Sequence, residues 1–136
     1  MIKRIAHVGI ATGSISDVAP FYELMGLQVD SVELVEEQNV RVAVLSVGES
    51  ALELLEATDR DSSLARFIEK RGEGMHHITF EVEDLHGALG MLRSQNISLI
   101  DEQPRKGAGG KLIAFVHPRS TGGVLIELSQ SPKGVD

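Results

Sequence analysis

His7-Val8-Gly9-Ile10 and His77-Ile78-Thr79-Phe80 are two versions of one segment, and each is answered downstream by a second. Glu53, within Leu52-Glu53-Leu54, lies 46 positions after His7, and Glu127, within Ile126-Glu127-Leu128, lies 50 positions after His77. Each half thus offers a histidine early and a carboxylate late, on segments that read as strands. Strand side chains alternate between faces, so Leu52 and Leu54 share one face while Glu53 takes the other, and Ile126-Glu127-Leu128 repeats this. Two imidazoles and two carboxylates, supplied in equal shares by two repeats, suit a divalent transition metal. The expectation is a duplicated module with a metal at its pseudo-symmetry axis.

Outward from the histidines the two halves keep one order of elements. In the first, a strand over 4–10 leads to a helix with Ser16 as N-cap, Asp17 beside it, and an apolar stripe at Val18, Phe21, Tyr22 and Met25. Pro20 then falls in the first turn, where a missing N–H is tolerated, and Gly26 is the stop. Strands are expected over 27–35, 40–47 and 51–56, with Gly48-Glu49-Ser50 as the hairpin turn between the last two. A short helix over 62–70 has Leu64, Phe67 and Ile68 on one side and runs into the connector Arg71-Gly72-Glu73-Gly74. The second half reads as a strand over 77–82 and a helix capped by Asp84 that carries Leu85, Ala88, Leu89 and Leu92. A short strand over 97–100, the glycine-rich loop 106–110, and strands over 112–116 and 124–128 complete it. The fold class is α+β: tandem βαβββ modules, about 1–71 and about 74–131, within one domain of 1–136.

The 136 residues suffice for a real core, and 42% hydrophobic with 24% charged residues is ordinary for a globular protein. The sequence has neither a long apolar run nor a basic-then-apolar start, so a membrane span and a signal peptide are not supported, and a cytoplasmic location is expected. With no cysteine there are no disulfides and no thiolate ligands. A net charge of -7 argues against nucleic acid as partner. The acidity is uneven: 103–126 holds no Asp or Glu but contains Arg105, Lys106, Lys111 and Arg119, a strip suited to a small polyanionic ligand. Neither GxxxxGK[ST] nor GxGxxG occurs, so nucleotide triphosphates and dinucleotides are not indicated.

At the doublet His76-His77 the two side chains point to opposite faces, so at most one belongs to the metal set. Correspondence with His7-Val8 favours His77, leaving His76 a structural role. His86 falls on a helix surface and reads as solvated. His117, before Pro118, sits at a strand end within reach of a substrate.

At these residues the chain resembles the vicinal oxygen chelate superfamily, built from paired βαβββ modules that form a cup-like mixed sheet with helices outside. Within it the chain looks most like the methylmalonyl-CoA epimerase family. The likeness rests on His7-Val8-Gly9-Ile10-Ala11, Glu53-Leu54-Leu55-Glu56, Gly74-Met75-His76-His77-Ile78 and Lys106-Gly107-Ala108-Gly109-Gly110-Lys111. The stretch from Phe115-Val116-His117-Pro118 to Gly122-Gly123-Val124-Leu125-Ile126-Glu127-Leu128 is its most specific part. The superfamily's metal-ligand positions fall on His7, Glu53, His77 and Glu127.

The resemblance implies inversion of the (R)- and (S)-forms of methylmalonyl-CoA by removal of the α-proton, with a divalent ion as Lewis acid for the enolate. Co(II) is favoured, and Ni(II), Mn(II) and Zn(II) share the same ligand chemistry. Glu127 is the acid/base candidate. A second glutamate used in the family falls on Val42 here, and Glu49 and Glu56 are out of register, so the second base is unassigned. Arg105, Lys106 and Lys111, with Gly109 and Gly110, read as a docking strip for the phosphates of coenzyme A. A homodimer is implied as well. Glyoxalase I uses the same His/Glu/His/Glu set and is the alternative enzyme, although His117-Pro118-Arg119-Ser120-Thr121-Gly122-Gly123 differs from the DPDG-like loop usual there. A non-catalytic binding module is the third reading; the full ligand set and the scarcity of aromatic residues (one Tyr, four Phe, no Trp) argue against it.

Overall fold

In the computed structural model, which describes residues 1–132, the first strand β1 (Ile2–Thr12) has its two ends in different units of the chain. His7–His76 form one unit, and Met1–Ala6 join the residues from His77 onward in the other. The class is α+β, and both halves follow the expected β-α-β-β-β order.

In the unit His7–His76, β1 leads through α1 (Ile15–Leu24) to β2 (Val29–Val35), β3 (Val40–Val47), β4 (Ser50–Ala57) and α2 (Ser63–Arg71). The strand order is β2-β3-β4-β1, with the β2/β3 and β3/β4 ladders antiparallel and β4/β1 parallel. Each face of this sheet has its own helix. Ala43, Leu45 and Leu54 pack with Ala19, Ile15, Val18 and Tyr22 of α1. Ala11, Val40 and Leu55 pack on the other face with Leu64, Phe67 and Ile68 of α2.

In the second unit, β5 (Gly74–Val82) is followed by α3 (Leu85–Ser94), a two-residue β6 (Arg105–Lys106), β7 (Leu112–Val116) and β8 (Ile126–Gln130). The order is β5-β8-β7-β6, with β5/β8 parallel and the other pairs antiparallel. Val82, Ala114, Val116 and Leu128 meet Leu85 and Leu89 of α3 in its core. No helix among the described residues is long and apolar enough to cross a membrane.

The last strand of each half also fixes the start of that half's helix. Glu56, three residues past Glu53, accepts the Ile15 N–H through Oε1 at 2.8 Å; Gln130, three residues past Glu127, accepts the Leu85 N–H through Oε1 at 2.7 Å. Ile15 and Leu85 each stand eight positions after their histidine, so these long-range caps obey the same repeat. Helix N–H groups without an intrahelical partner need such acceptors. Asp84 adds the expected local cap, accepting the Gly87 N–H at 3.1 Å.

Two expectations differ from the structure. The N-cap of α1 is Ser14, not Ser16, because Glu56 from a distant strand supplies the acceptor two residues earlier. Pro20 is therefore interior to α1, where it offers no N–H to the Ser16 carbonyl. The segment 97–100 contributes only an isolated bridge, Leu99 to Val116, and the paired strand of this half is Arg105–Lys106. Backbone bonds there are few, His117 N–H to the Ser98 carbonyl and Ile100 N–H to the Phe115 carbonyl, both at 2.9 Å, and side chains take other groups: Ser98 N–H donates to Ser120 Oγ at 2.9 Å, and Asp101 Oδ2 accepts the Phe115 N–H at 2.8 Å. Ile97 and Leu99 still pack against the α3 core.

Glu81 of β5 is buried and anchors both termini of its unit. Ser131 Oγ donates to its Oε1 at 2.6 Å, and Arg4 Nε donates to its Oε2 at 3.1 Å. The Ser131 hydrogen bond, with Arg4 and Lys3, holds the carboxyl below the usual range although burial opposes it. A carboxyl depressed by folding stabilises the folded state above its unfolded pKa, about 4.3, and the contribution is lost as pH falls through the folded value. Glu81→Gln is thus expected to lower the melting temperature at neutral pH and to flatten its decline below about pH 4.3, as read by circular dichroism against pH.

Candidate functional site

The parallel ladder β1/β4 sets Gly9 against Glu53, so His7 stands two residues before the partner of Glu53 and on the same face. Leu52 and Leu54 turn to the α1 side, which leaves Glu53 on the face whose far end α2 covers. Gly9 has no side chain to fill the space beside Glu53, and the carboxylate reaches back to His7, with His7 Nε2 at 3.3 Å from Glu53 Oε1.

The ladder β5/β8 repeats the register. Thr79 faces Glu127, and His77 again stands two residues before that partner. His77 Nε2 lies 3.5 Å from Glu127 Oε1, and both side chains are buried. The residue between differs: where the first unit has Gly9, the second has the fully buried Thr79, whose Oγ1 donates to Glu127 Oε1 at 2.5 Å. Glu127 is therefore oriented by a hydroxyl donor that has no counterpart at Gly9. The residue types alone do not single out Thr79; its signal is its position two residues after the histidine.

The donor atoms in each unit are spaced as metal ligands are. A nitrogen and an oxygen bound about 2.1 Å from one ion, at octahedral or tetrahedral angles, lie about 3.0–3.4 Å apart. Charge-assisted hydrogen bonds are shorter, about 2.7–2.9 Å. The 3.3 Å separation falls in the first range and the 3.5 Å one just above it, and imidazole nitrogen with carboxylate oxygen is a donor set for divalent first-row metals.

The remaining sequence candidates fall around these pairs. Phe115 is in register with Glu127 and meets the His77 ring edge-on, centroids 6.0 Å apart. The Arg105 guanidinium lies 5.4 Å over the Phe115 ring and its Nε is 3.3 Å from Asp101 Oδ1. This aromatic step links the basic strip to the second His–Glu pair. Lys106 is exposed, Lys111 half-buried, and Arg119 exposed. Between them Gly109 and Gly110 take positive φ, 68° and 75°, which favours glycine. His117 Nδ1 accepts the Arg119 N–H at 3.1 Å, leaving Nε2 as the donor of the neutral ring. His76 packs edge-on against Phe67 of α2, centroids 4.7 Å apart, in line with a structural role, and His86 is exposed.

Residues 6–115 match the model of the glyoxalase/bleomycin resistance protein/dioxygenase superfamily. The chain belongs to this superfamily. Its named relatives lie among the methylmalonyl-CoA epimerases: the human mitochondrial enzyme is 38% identical over 96% of this chain and 75% of its own length. The uncharacterised protein YqjC of Bacillus subtilis is 48% identical over 98% of this chain and 95% of its own. Among solved structures, a variant of the Streptomyces coelicolor methylmalonyl-CoA epimerase in complex with 2-nitronate-propionyl-CoA superposes with a TM-score of 0.92. It is 36% identical and covers 98% of this chain, which covers 97% of it. Membership at this level makes the chain an isomerase of the epimerase class.

The Thr79 hydroxyl is the donor that orients the Glu127 carboxylate. Thr79→Val, close in shape but without the donor, is expected to lower both metal affinity and turnover about 10–100-fold, whereas Thr79→Ser keeps most of each. Metal titration alongside a turnover assay reads this, and a valine variant matching the parent in both would show that the hydroxyl orients nothing that matters.

Proposed function

We propose that the protein inverts the α-carbon of methylmalonyl-CoA, and that His7 and Glu53 from one unit and His77 and Glu127 from the other hold a single divalent metal ion. The observation that carries the reading is the identical ladder register of the two His–Glu pairs, Gly9 to Glu53 and Thr79 to Glu127. The acyl-CoA analogue bound to the Streptomyces relative supports the substrate class. Cobalt is the first choice of ion, with nickel, manganese and zinc consistent with the same N and O donors.

The α-carbon lies between a thioester carbonyl and a carboxylate, so its proton is the acidic one. The ion, when bound, supplies Lewis-acid charge that offsets the negative charge developing as that proton leaves. Glu127 takes the proton or returns it. Thr79 keeps the carboxylate aimed, and the burial of His77 and Glu127 limits competing water. Arg105, Lys106, Lys111 and Arg119 neutralise the phosphates of coenzyme A, and the backbone at Gly109 and Gly110 permits their close approach. His117 contributes an Nε2 donor to the same ligand.

The test is α-proton exchange. Metal-loaded protein with one epimer of methylmalonyl-CoA in deuterated water is expected to incorporate deuterium at the α-carbon and lose stereochemical purity. Chelation or His7→Ala abolishes both, and Glu127→Gln slows them about 10²–10⁴-fold. Undiminished exchange after metal removal would sink the proposal. Turnover of methylglyoxal with glutathione, without exchange, would move the chain to glyoxalase I chemistry.

A further inference from the structure

The cations of the window 103–126 are not held alike. Lys106 and Arg119 are exposed and Lys111 is half-buried, and none of these three side chains makes a hydrogen bond or ion pair among the described residues. Arg105 is held on two sides. Its Nε lies 3.3 Å from Asp101 Oδ1, and its guanidinium carbon stands 5.4 Å from the centroid of the Phe115 ring.

Asp101 is fixed independently of Arg105. Its backbone N–H donates to the Phe115 carbonyl at 3.2 Å, and its Oδ2 accepts the Phe115 N–H at 2.8 Å. Two bonds to one residue's backbone set the carboxylate in a single orientation, and Oδ1 is the oxygen left over for the guanidinium. The β6/β7 ladder completes the placement. Arg105 is the partner of Ile113, and Phe115, two residues further along β7, shares that face. Stacking on Phe115 brings the guanidinium to the row that Phe115 forms with Glu127 and Thr79. Two ring contacts, 5.4 and 6.0 Å, then lead from the guanidinium to the His77 imidazole. All of these residues belong to the one unit from His77 onward.

A guanidinium has five N–H donors in a rigid fork. Asp101 engages the Nε end and Phe115 covers one face, while neither Nη group donates a hydrogen bond among the described residues. The outer, two-pronged edge is therefore open to a ligand. That edge matches the two oxygens of a phosphate or carboxylate, and an arginine already held in one rotamer avoids the ordering cost that a free surface lysine carries on binding.

We infer that Asp101 is a positioning residue, which holds Arg105 against Phe115 so that its two Nη groups form a preset fork for an oxyanion of the ligand. The inference rests on the acyl-CoA reading above, whose ligand offers phosphates on the coenzyme and a carboxylate on the acyl group.

Asp101→Asn separates the two tasks of this side chain. The amide oxygen still accepts the Phe115 N–H, but the amide nitrogen meets the Arg105 Nε–H donor to donor. Calorimetry on the metal-loaded protein uses two probes. Acetyl-CoA carries the phosphates without the acyl carboxylate, and the N-acetylcysteamine thioester of methylmalonate carries the carboxylate without the phosphates. Asp101→Asn is expected to weaken one probe about 3–10-fold and to raise KM for methylmalonyl-CoA similarly, with kcat within about twofold of the parent. The probe that weakens names the anion. Arg105→Ala weakens the same probe at least as much, and adding Asp101→Asn to it changes nothing further, because the acid acts through the guanidinium. Glu102→Gln, at the exposed neighbouring acid that pairs with Arg93, binds both probes as the parent does. Parental affinity of Asp101→Asn for both probes, or an undiminished effect of Asp101→Asn in the Arg105→Ala background, overturns the inference and leaves the acyl-CoA reading intact. If circular dichroism shows Asp101→Asn unfolded, Arg105→Lys decides: it keeps the charge without the fork, and parental affinity for both probes overturns the inference. A parent protein that binds neither probe nor methylmalonyl-CoA overturns the acyl-CoA reading itself.

Discussion

The constraint on which the structure depends is the register of two parallel ladders, β1 with β4 and β5 with β8. Side chains alternate strictly along a strand, so a slip of one residue would send every side chain to the other face. For β4 that slip would drive Glu53 toward Ala19 and Tyr22 of α1 and turn Leu54 outward. Moving an ionised carboxylate into apolar packing costs several kcal/mol, and removing a fully buried leucine from it costs about 2–5 kcal/mol more. The hydrophobic core therefore sets the face on which the paired histidines and glutamates stand. A parallel pair also requires a long crossover, and the α-helix and hairpin in each half are what that connection consists of.

Glu56 and Gln130 tie this register to the helices. Each sits three residues beyond Glu53 or Glu127, on the opposite face, and accepts the first N–H of the helix its core packs against. The same strand thus presents a carboxylate to chemistry on one side and an acceptor to architecture on the other. The two halves then diverge where function asks it. Gly9 leaves Glu53 to reach toward His7, while Thr79 hydrogen-bonds Glu127. Of the two glutamates, Glu127 thus has the more fixed orientation.

Much of this was legible because strand alternation and helical periodicity are local. The order of elements, the leucine faces around Glu53, the Asp84 cap and the α2 stripe at Leu64, Phe67 and Ile68 all follow from neighbours within one or two turns. The repeat gave the pairing of His7 with Glu53 and of His77 with Glu127. What stayed hidden depends on partners far along the chain. Ser14 is the cap of α1 because Glu56 comes from 41 residues away, and 97–100 stays an isolated bridge while the Ser120 and Asp101 side chains take the Ser98 and Phe115 N–H groups. Thr79 as donor to Glu127 and Arg105 stacked on Phe115 needed the β5/β8 and β6/β7 registers before they had any meaning.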